Sequence, residues 1–163
     1  MAQYDDIFER LRQDHDVHRQ LFAQLGAAEP DDGSRRGLLV QLTKELKAHA
    51  AAEEQALYST MMRKPETTDE TRHSVAEHKE VEDLLNDLAA ADPRSPEWRE
   101  KFGHLRRRYL HHIEEEEEEH FEDFARYLSD EDVQYMRAVF DRRKQAEKAE
   151  AEVTPEKLED AKE

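Results

Sequence analysis

Shifting the chain by 63 residues lays its apolar pattern on itself. Leu21 falls on Leu84, Leu25 on Leu88, Leu39 on Phe102, Leu42 on Leu105, Leu46 on Tyr109 and Tyr58 on Phe121. The same shift places His15 on His78, His49 on His112 and Glu53 on Glu116. Self-similarity of this kind restricts the fold to two copies of one supersecondary unit. Within a copy the apolar residues return at helical spacing, as in Ile7, Leu11, Phe22 and Leu25, or Phe102, Leu105 and Tyr109. With only four Gly and five Pro in 163 residues, and Ala, Leu, Glu, Lys, Arg and Gln abundant, the unit is a hairpin of long helices. Two such hairpins predict an all-α, up-down-up-down four-helix bundle with a pseudo-twofold internal repeat.

Turn chemistry separates the helices at Glu29–Ser34, Arg63–Thr67 and Asp92–Pro96. Ser34 is expected to cap the second helix, Thr67 with Glu70 reads as a capping box, and Ser95 before Pro96 is an N-cap with proline at the first helical position. Ser129, ahead of Asp130, Glu131 and Asp132, starts a fifth helix. The expected spans are Asp5 to Gly26, Ser34 to Met62, Thr67 to Ala91, Ser95 to Leu128 and Ser129 to about Lys148. Residues 1–128 therefore form the bundle, 129–148 a short helix docked through Val133, Met136 and Phe140, and 149–163 a solvated tail.

A formal charge of −16 opposes binding to nucleic-acid phosphates and to anionic membrane surfaces. The absence of cysteine excludes disulfides, thiolate metal sites and cysteine nucleophiles. The start, MAQYDDIFER, has no apolar run suited to a signal peptide, and nothing later approaches the ~20 apolar residues of a membrane span, so a cytoplasmic protein is expected. No Gly-rich phosphate loop, GxSxG elbow or HExxH motif occurs.

The apolar stripes turn polar midway. Ile7 and Leu11 lead to His15 and His18, and Leu42 and Leu46 lead to His49 and Glu53. Burying such groups costs several kcal/mol unless something pairs with them, and duplication of a hairpin gives no structural reason to keep two histidines and a glutamate in each copy. Register follows from arithmetic, because residues of an antiparallel pair lie at one depth when the midpoint of their numbers falls in the connecting loop. For His15 and His49 the midpoint is 32, for Glu53 and His78 it is 65.5, and for His78 and His112 it is 95, each in a predicted turn. The four histidines and Glu53 thus share one level of the bundle, the geometry in which bundles build metal sites. His49 and Glu53, like His112 and Glu116, are four residues apart, roughly 40° and 6 Å on a helix, so each carboxylate reaches back over its own imidazole and can bridge two ions. Imidazole and carboxylate without sulfur suit an octahedral or five-coordinate iron or manganese pair better than a tetrahedral structural zinc.

Other residues compete for these roles. His111 also precedes a glutamate by four, but the repeat favours His112. His18 and His120 lie near the buried stripe as bundle-end or supporting residues, with ligation as the alternative, His104 is expected outside, and Tyr109, Tyr58 and Glu45 are candidates for packing or orienting the imidazoles, Tyr109 and Glu45 alternatively for completing a coordination shell. A ferritin-like oxidase would use Glu70-x-x-His73 and Glu117-x-x-His120, but the facing positions, near Tyr58 and Ile7, are apolar. A metal-free acidic interaction bundle is the remaining alternative.

The pattern His15, His49-x-x-x-Glu53, His78, His112-x-x-x-Glu116 resembles the bacterial hemerythrin-like (HHE cation-binding) domains over about residues 5–128, with strings such as His49-Ala-Ala-Ala-Glu53-Glu54-Gln55-Ala56-Leu57-Tyr58 and Glu77-His78. The resemblance implies two non-heme iron ions, oxo- or hydroxo-bridged, with manganese as the substitute. It further implies a centre that binds or senses dioxygen, peroxide or nitric oxide, or responds to iron. An enzyme that decomposes peroxide or reductively removes nitric oxide or dioxygen is the alternative. A small diatomic ligand or peroxide is then the expected partner, with no nucleic acid or membrane, and no protein partner is indicated. Oxygen carriers of the family have a further histidine one turn before the third-helix ligand. That position is Ser74 here, with His73 beside it. Reaction with dioxygen rather than reversible carriage is therefore expected, the rival being that His73 swings inward at a π-bulge.

Overall fold

The computed structural model describes residues 6–151, and all their regular structure is helical. Helix α1 is Ile7–Ala27, α2 spans 32–61, α3 is Thr68–Ala90, α4 spans 96–125 and α5 is Asp130–Ala151. Helices α1 to α4 pack in an up-down-up-down ring, α1 on α2, α2 on α3, α3 on α4 and α4 back on α1. Among the described residues no helix is long and apolar enough to cross a membrane. The expected start at Asp5 and the tail beyond Ala151 lie outside the described residues.

The caps differ from the sequence expectation at two starts. Helix α2 is capped by Asp31, whose carboxylate accepts from the Ser34 backbone N–H at 2.8 Å, so Ser34 lies inside the helix. Thr67 makes no side-chain cap; its hydroxyl donates to the Met61 carbonyl at 2.8 Å, closing the α2–α3 turn instead. At Ser95 and Ser129 the expected caps form, through Trp98 N–H to Ser95 Oγ and Asp132 N–H to Ser129 Oγ.

Helices α2 and α4 each contain one π-helical turn, at Glu54–Tyr58 and Glu116–His120, within one residue of the same repeat position. In an unbroken α-helix residues five apart point about 140° apart. The wider turn brings such residues toward one face, and these segments adjoin functional candidates, as π-bulges often do. Helix α3, where His73 would need such a bulge to turn inward, is continuous α-helix.

The core is divided along the bundle. One apolar cluster holds Phe22, Leu42, Leu85, Trp98 and Leu105, and another holds Ile7, Leu11, Leu57, Met61 and Phe124. Between them lies a buried polar belt of histidines and carboxylates.

Helix α5 runs close to the expected span from Ser129 to about Lys148. It has 22 residues and packs chiefly on α2, with further contacts to α1. Met136 and Phe140 are buried and Val133 partly so, as its apolar stripe suggested. Phe140 meets the His49 ring edge-on at 5.6 Å between centroids and carries the Arg10 guanidinium over its face at 5.1 Å. One turn on, Lys144 is buried, with Nζ 2.7 Å from Asp14 Oδ1 and 2.6 Å from Glu45 Oε1. Lys148 adds an ion pair to Glu45 Oε2 at 2.7 Å.

Two outcomes follow for α5. Phe140→Ala should cost about 3–5 kcal/mol in chemical denaturation, whereas a helix merely lying on the surface would lose under about 0.5 kcal/mol. Lys144→Met should cost about 3–5 kcal/mol by leaving Asp14 and Glu45 buried without their shared cation. Burial opposes the charge of both carboxylates, yet His49 and Lys144 at Asp14, and His18, Lys144 and Lys148 at Glu45, hold them below their ordinary values. A carboxyl depressed on folding contributes stability that is full above its unfolded value, about 4, and is lost as pH falls below it. Wild-type stability should therefore drop as pH is lowered from about 5 to 3, and the Lys144→Met variant should show a shallower drop in the same denaturation series.

Candidate metal centre

The predicted site residues converge in the polar belt. His15 from α1, His49 and Glu53 from α2, and His112 and Glu116 from α4 are buried, and the His78 side chain from α3 is only 8% exposed. Ligand atoms of Glu53, His78, His112 and Glu116 lie within 4.8 Å of one another, and so do those of His15, His49 and Glu53. The two groups share Glu53. His78 Nε2 is 3.1 Å and His49 Nε2 3.7 Å from Glu53 Oε1, while His112 Nε2 is 2.6 Å from Glu116 Oε1.

Each of the four imidazoles is held through Nδ1 by a carboxylate. Asp14 holds His49 at 2.7 Å, Glu77 holds His112 at 2.8 Å, Glu117 holds His15 at 2.6 Å and Glu54 lies 3.2 Å from His78. This fixes the rings with Nε2 pointing inward, the arrangement that orients metal-ligating histidines. These partners were not picked out from the sequence. The repeat held the signal, because the 63-residue shift lays Asp14 on Glu77 and Glu54 on Glu117.

Inward, hydrogen bonding stops. His15 Nε2, His49 Nε2, both Glu53 oxygens and Glu116 Oε1 are buried and form no well-directed hydrogen bond, although His78 Nε2 and His112 Nε2 lie beside Glu53 Oε1 and Glu116 Oε1. Buried polar atoms without partners are rare, and each costs about 1–3 kcal/mol. Orphans that face one another across two HxxxE pairs fit a bound cation pair, whose positive charge would satisfy them together.

The electrostatics agree. Burial pushes the Glu53 carboxyl up, and the neighbouring Glu116 charge pushes it further. Burial also opposes the charge of Glu116, but His112 holds it well below its ordinary value. For His112, burial alone would depress the imidazole, yet Glu116 and Glu77 raise it to about 9. His49 moves the other way, down to about 4, because burial outweighs Asp14. Two facing carboxylates in a dry core cannot both ionise without a compensating cation.

His18 is buried beside the belt, but both its nitrogens are engaged: Nδ1 with the Tyr109 hydroxyl at 2.6 Å and Nε2 with Glu45 at 3.4 Å. Tyr58 donates to Glu116 Oε2 at 2.9 Å. His120 is buried against Ser74 Oγ, whereas His73, His104 and His111 are exposed. Ser74, not His73, faces inward on α3. A cavity of about 350 Å³ opens between α2 and α3, lined by Leu46, Ala50, Val81 and Leu85 together with His49, His78 and Tyr109.

Comparison with known proteins places this geometry in context. The fold resembles that of a hemerythrin HHE cation binding domain-containing protein of Mycobacterium kansasii, with a TM-score of 0.79 at 20% identity, covering 89% of this chain and 88% of that one. A DNA nickase of Nostoc sp. is 28% identical over 135 residues, which is 83% of this chain but 38% of that protein. This chain thus matches well under half of the relative's length. Residues 6–124 match the hemerythrin HHE cation binding domain, and the chain belongs to that family of cation-binding bundles.

Proposed function

We propose that the chain binds two non-heme iron ions, which His15, His49 and Glu53 on one side and Glu53, His78, His112 and Glu116 on the other would hold. The observation that carries this reading is the set of buried, unpartnered Nε2 and carboxylate oxygens turned toward one another. When bound, the ions supply redox-active, Lewis-acidic positions for a small oxidant. The chain's own groups do the rest. Asp14, Glu77, Glu117 and Glu54 set the imidazole tautomers, and Tyr58 holds one oxygen of Glu116. The cavity between α2 and α3 is large beside the ~30 Å³ share of a water molecule, so dioxygen, peroxide or nitric oxide can reach His49 and His78 through it.

In this reading the bundle of residues 1–128 carries the centre, and the helix that follows braces it through Lys144 and Phe140. Reaction with the oxidant is favoured over reversible carriage, since Ser74 occupies the inward position one turn before His78 and its hydroxyl meets His120. Nicking activity is not carried over from the Nostoc relative. The match covers 38% of that protein, and a net charge of −16 opposes a phosphate backbone.

Protein produced with ample iron should carry two irons per chain by elemental analysis. His49→Ala or His112→Ala should lower metal content and melting temperature together, because facing carboxylates then lose the charge that balances them. Wild-type protein with one zinc or no metal would overturn the assignment. Iron retention should weaken as pH falls, since protons compete at Glu53 and His112, which both bind protons more tightly than usual without a cation. Mixed with dioxygen in a stopped-flow spectrometer, the reduced protein should oxidise without regenerating the starting spectrum when oxygen is removed; reversible recovery that His73→Ala abolishes would restore the carrier reading.

A further inference from the structure

Outside the core centre, three histidines converge on one carboxylate at the α3–α4 face. Glu115 Oε1 lies 3.2 Å from His120 Nε2 and 3.4 Å from His73 Nε2, and its Oε2 lies 3.4 Å from His111 Nε2. Glu77 Oε1 adds an oxygen 3.3 Å from His73 Nε2. Ligand atoms of His73, Glu77 and Glu115 fall within 4.8 Å of one another, as do those of Glu115, Glu119 and His120, so Glu115 joins both sets.

The π-helical turn makes this possible. Glu115 and His120 are five residues apart and would point about 140° apart on an α-helix, but the wider turn at Glu116–His120 brings them to the same side of α4. His120 is 4% exposed and is fixed by Ser74 Oγ at 3.2 Å from its Nδ1, which leaves Nε2 aimed at Glu115. An imidazole steadied through one nitrogen, with the other turned to a carboxylate, has the geometry of a metal ligand. Ordinary surface ion pairing does not account for it, because exposed His–Glu contacts contribute little and do not require three rings around one carboxylate.

We propose that His73, Glu115 and His120 form a separate, solvent-facing site for a first-row divalent transition cation, with Glu119 at its rim. Imidazole nitrogen and carboxylate oxygen without sulfur suit Zn²⁺, Fe²⁺ or Mn²⁺. Glu77 keeps Oε1 on His112 Nδ1, so Glu115 is the principal carboxylate. The surroundings attract cations: burial together with the charges of Asp123 and Glu119 raises the nearby Glu70 carboxyl to about 7, a sign of crowded negative charge.

The test is a calorimetric Zn²⁺ titration of untagged, iron-loaded protein, with Co²⁺ absorption as a second readout. Wild type should bind one zinc equivalent that His73→Ala weakens at least tenfold, and Glu115→Gln should do the same, with iron content and circular dichroism unchanged in His73→Ala. Because the quantity read is the difference between wild type and His73→Ala, an exposed position whose loss cannot unfold the bundle, it reports the surface site whatever the core holds. An absent equivalent, or one that both variants retain, overturns the proposal. So does an equivalent that His49→Ala removes and His73→Ala leaves intact, since the zinc would then occupy the core.

Discussion

Everything in this bundle is arranged around two carboxylates, Glu53 and Glu116, that are buried together among imidazoles, with Tyr58 donating to one oxygen of Glu116 and no hydrogen bond formed by either oxygen of Glu53. Burial and the Glu116 charge raise Glu53, and the adjacent His112, helped by Glu53 and His15, holds Glu116 well below its ordinary value against the cost of burial. An apolar core of the same size would be easier to fill. The cost is offset in layers: four more carboxylates turn the imidazoles inward, and two of those carboxylates are themselves tied outward. Asp14 goes to Lys144 and Arg10, and Glu117 goes to Arg19. Such a network is stable only when each member finds its partner, and its innermost atoms are the ones left without any. Membership of a cation-binding family and the open inner shell are thus two views of one constraint.

The pseudo-twofold repeat supplies the layers and is broken where the two halves differ in chemistry. Tyr58 donates to Glu116, but the matching residue on the other side is Phe121, which has no hydroxyl for Glu53. His18 with Tyr109 and Glu45 forms a buried polar branch on the His15–His49 side, whereas the repeat position of His18 is Val81. Helix α5 covers that same half and has no counterpart on the other among the described residues. One half is braced by buried charge, and the other borders the cavity between α2 and α3 and the acidic face around Glu115. Duplication gives a symmetric frame, and single substitutions within it make the two ends of the centre unequal.

Much of this was legible beforehand because helices transmit register. Midpoint arithmetic placed His15, His49, Glu53, His78 and His112 on one level, and the 63-residue repeat favoured His112, which is buried, over His111, which is exposed. The Nδ1 partners were harder to see. Asp14, Glu54, Glu77 and Glu117 sit next to ligand candidates in sequence, and adjacent helical residues point about 100° apart, so by spacing alone each belongs to another face. Only packing across helices turns Glu117 toward His15 and Glu54 toward His78. Within a highly acidic chain their charge did not single them out.

The sequence by itself determined the helical hairpin, its duplication and the buried phase of the six candidate ligands, since these depend on local spacing that a helix preserves over its whole length. Tertiary structure alone decided how far α5 docks and that Lys144 enters the belt between Asp14 and Glu45, because a lysine on an otherwise polar helix reads as solvated until the surface beneath it is known. It also decided the π-helical turns that bring Glu115 beside His120. A change of backbone pitch shifts phase by one residue without any mark in composition.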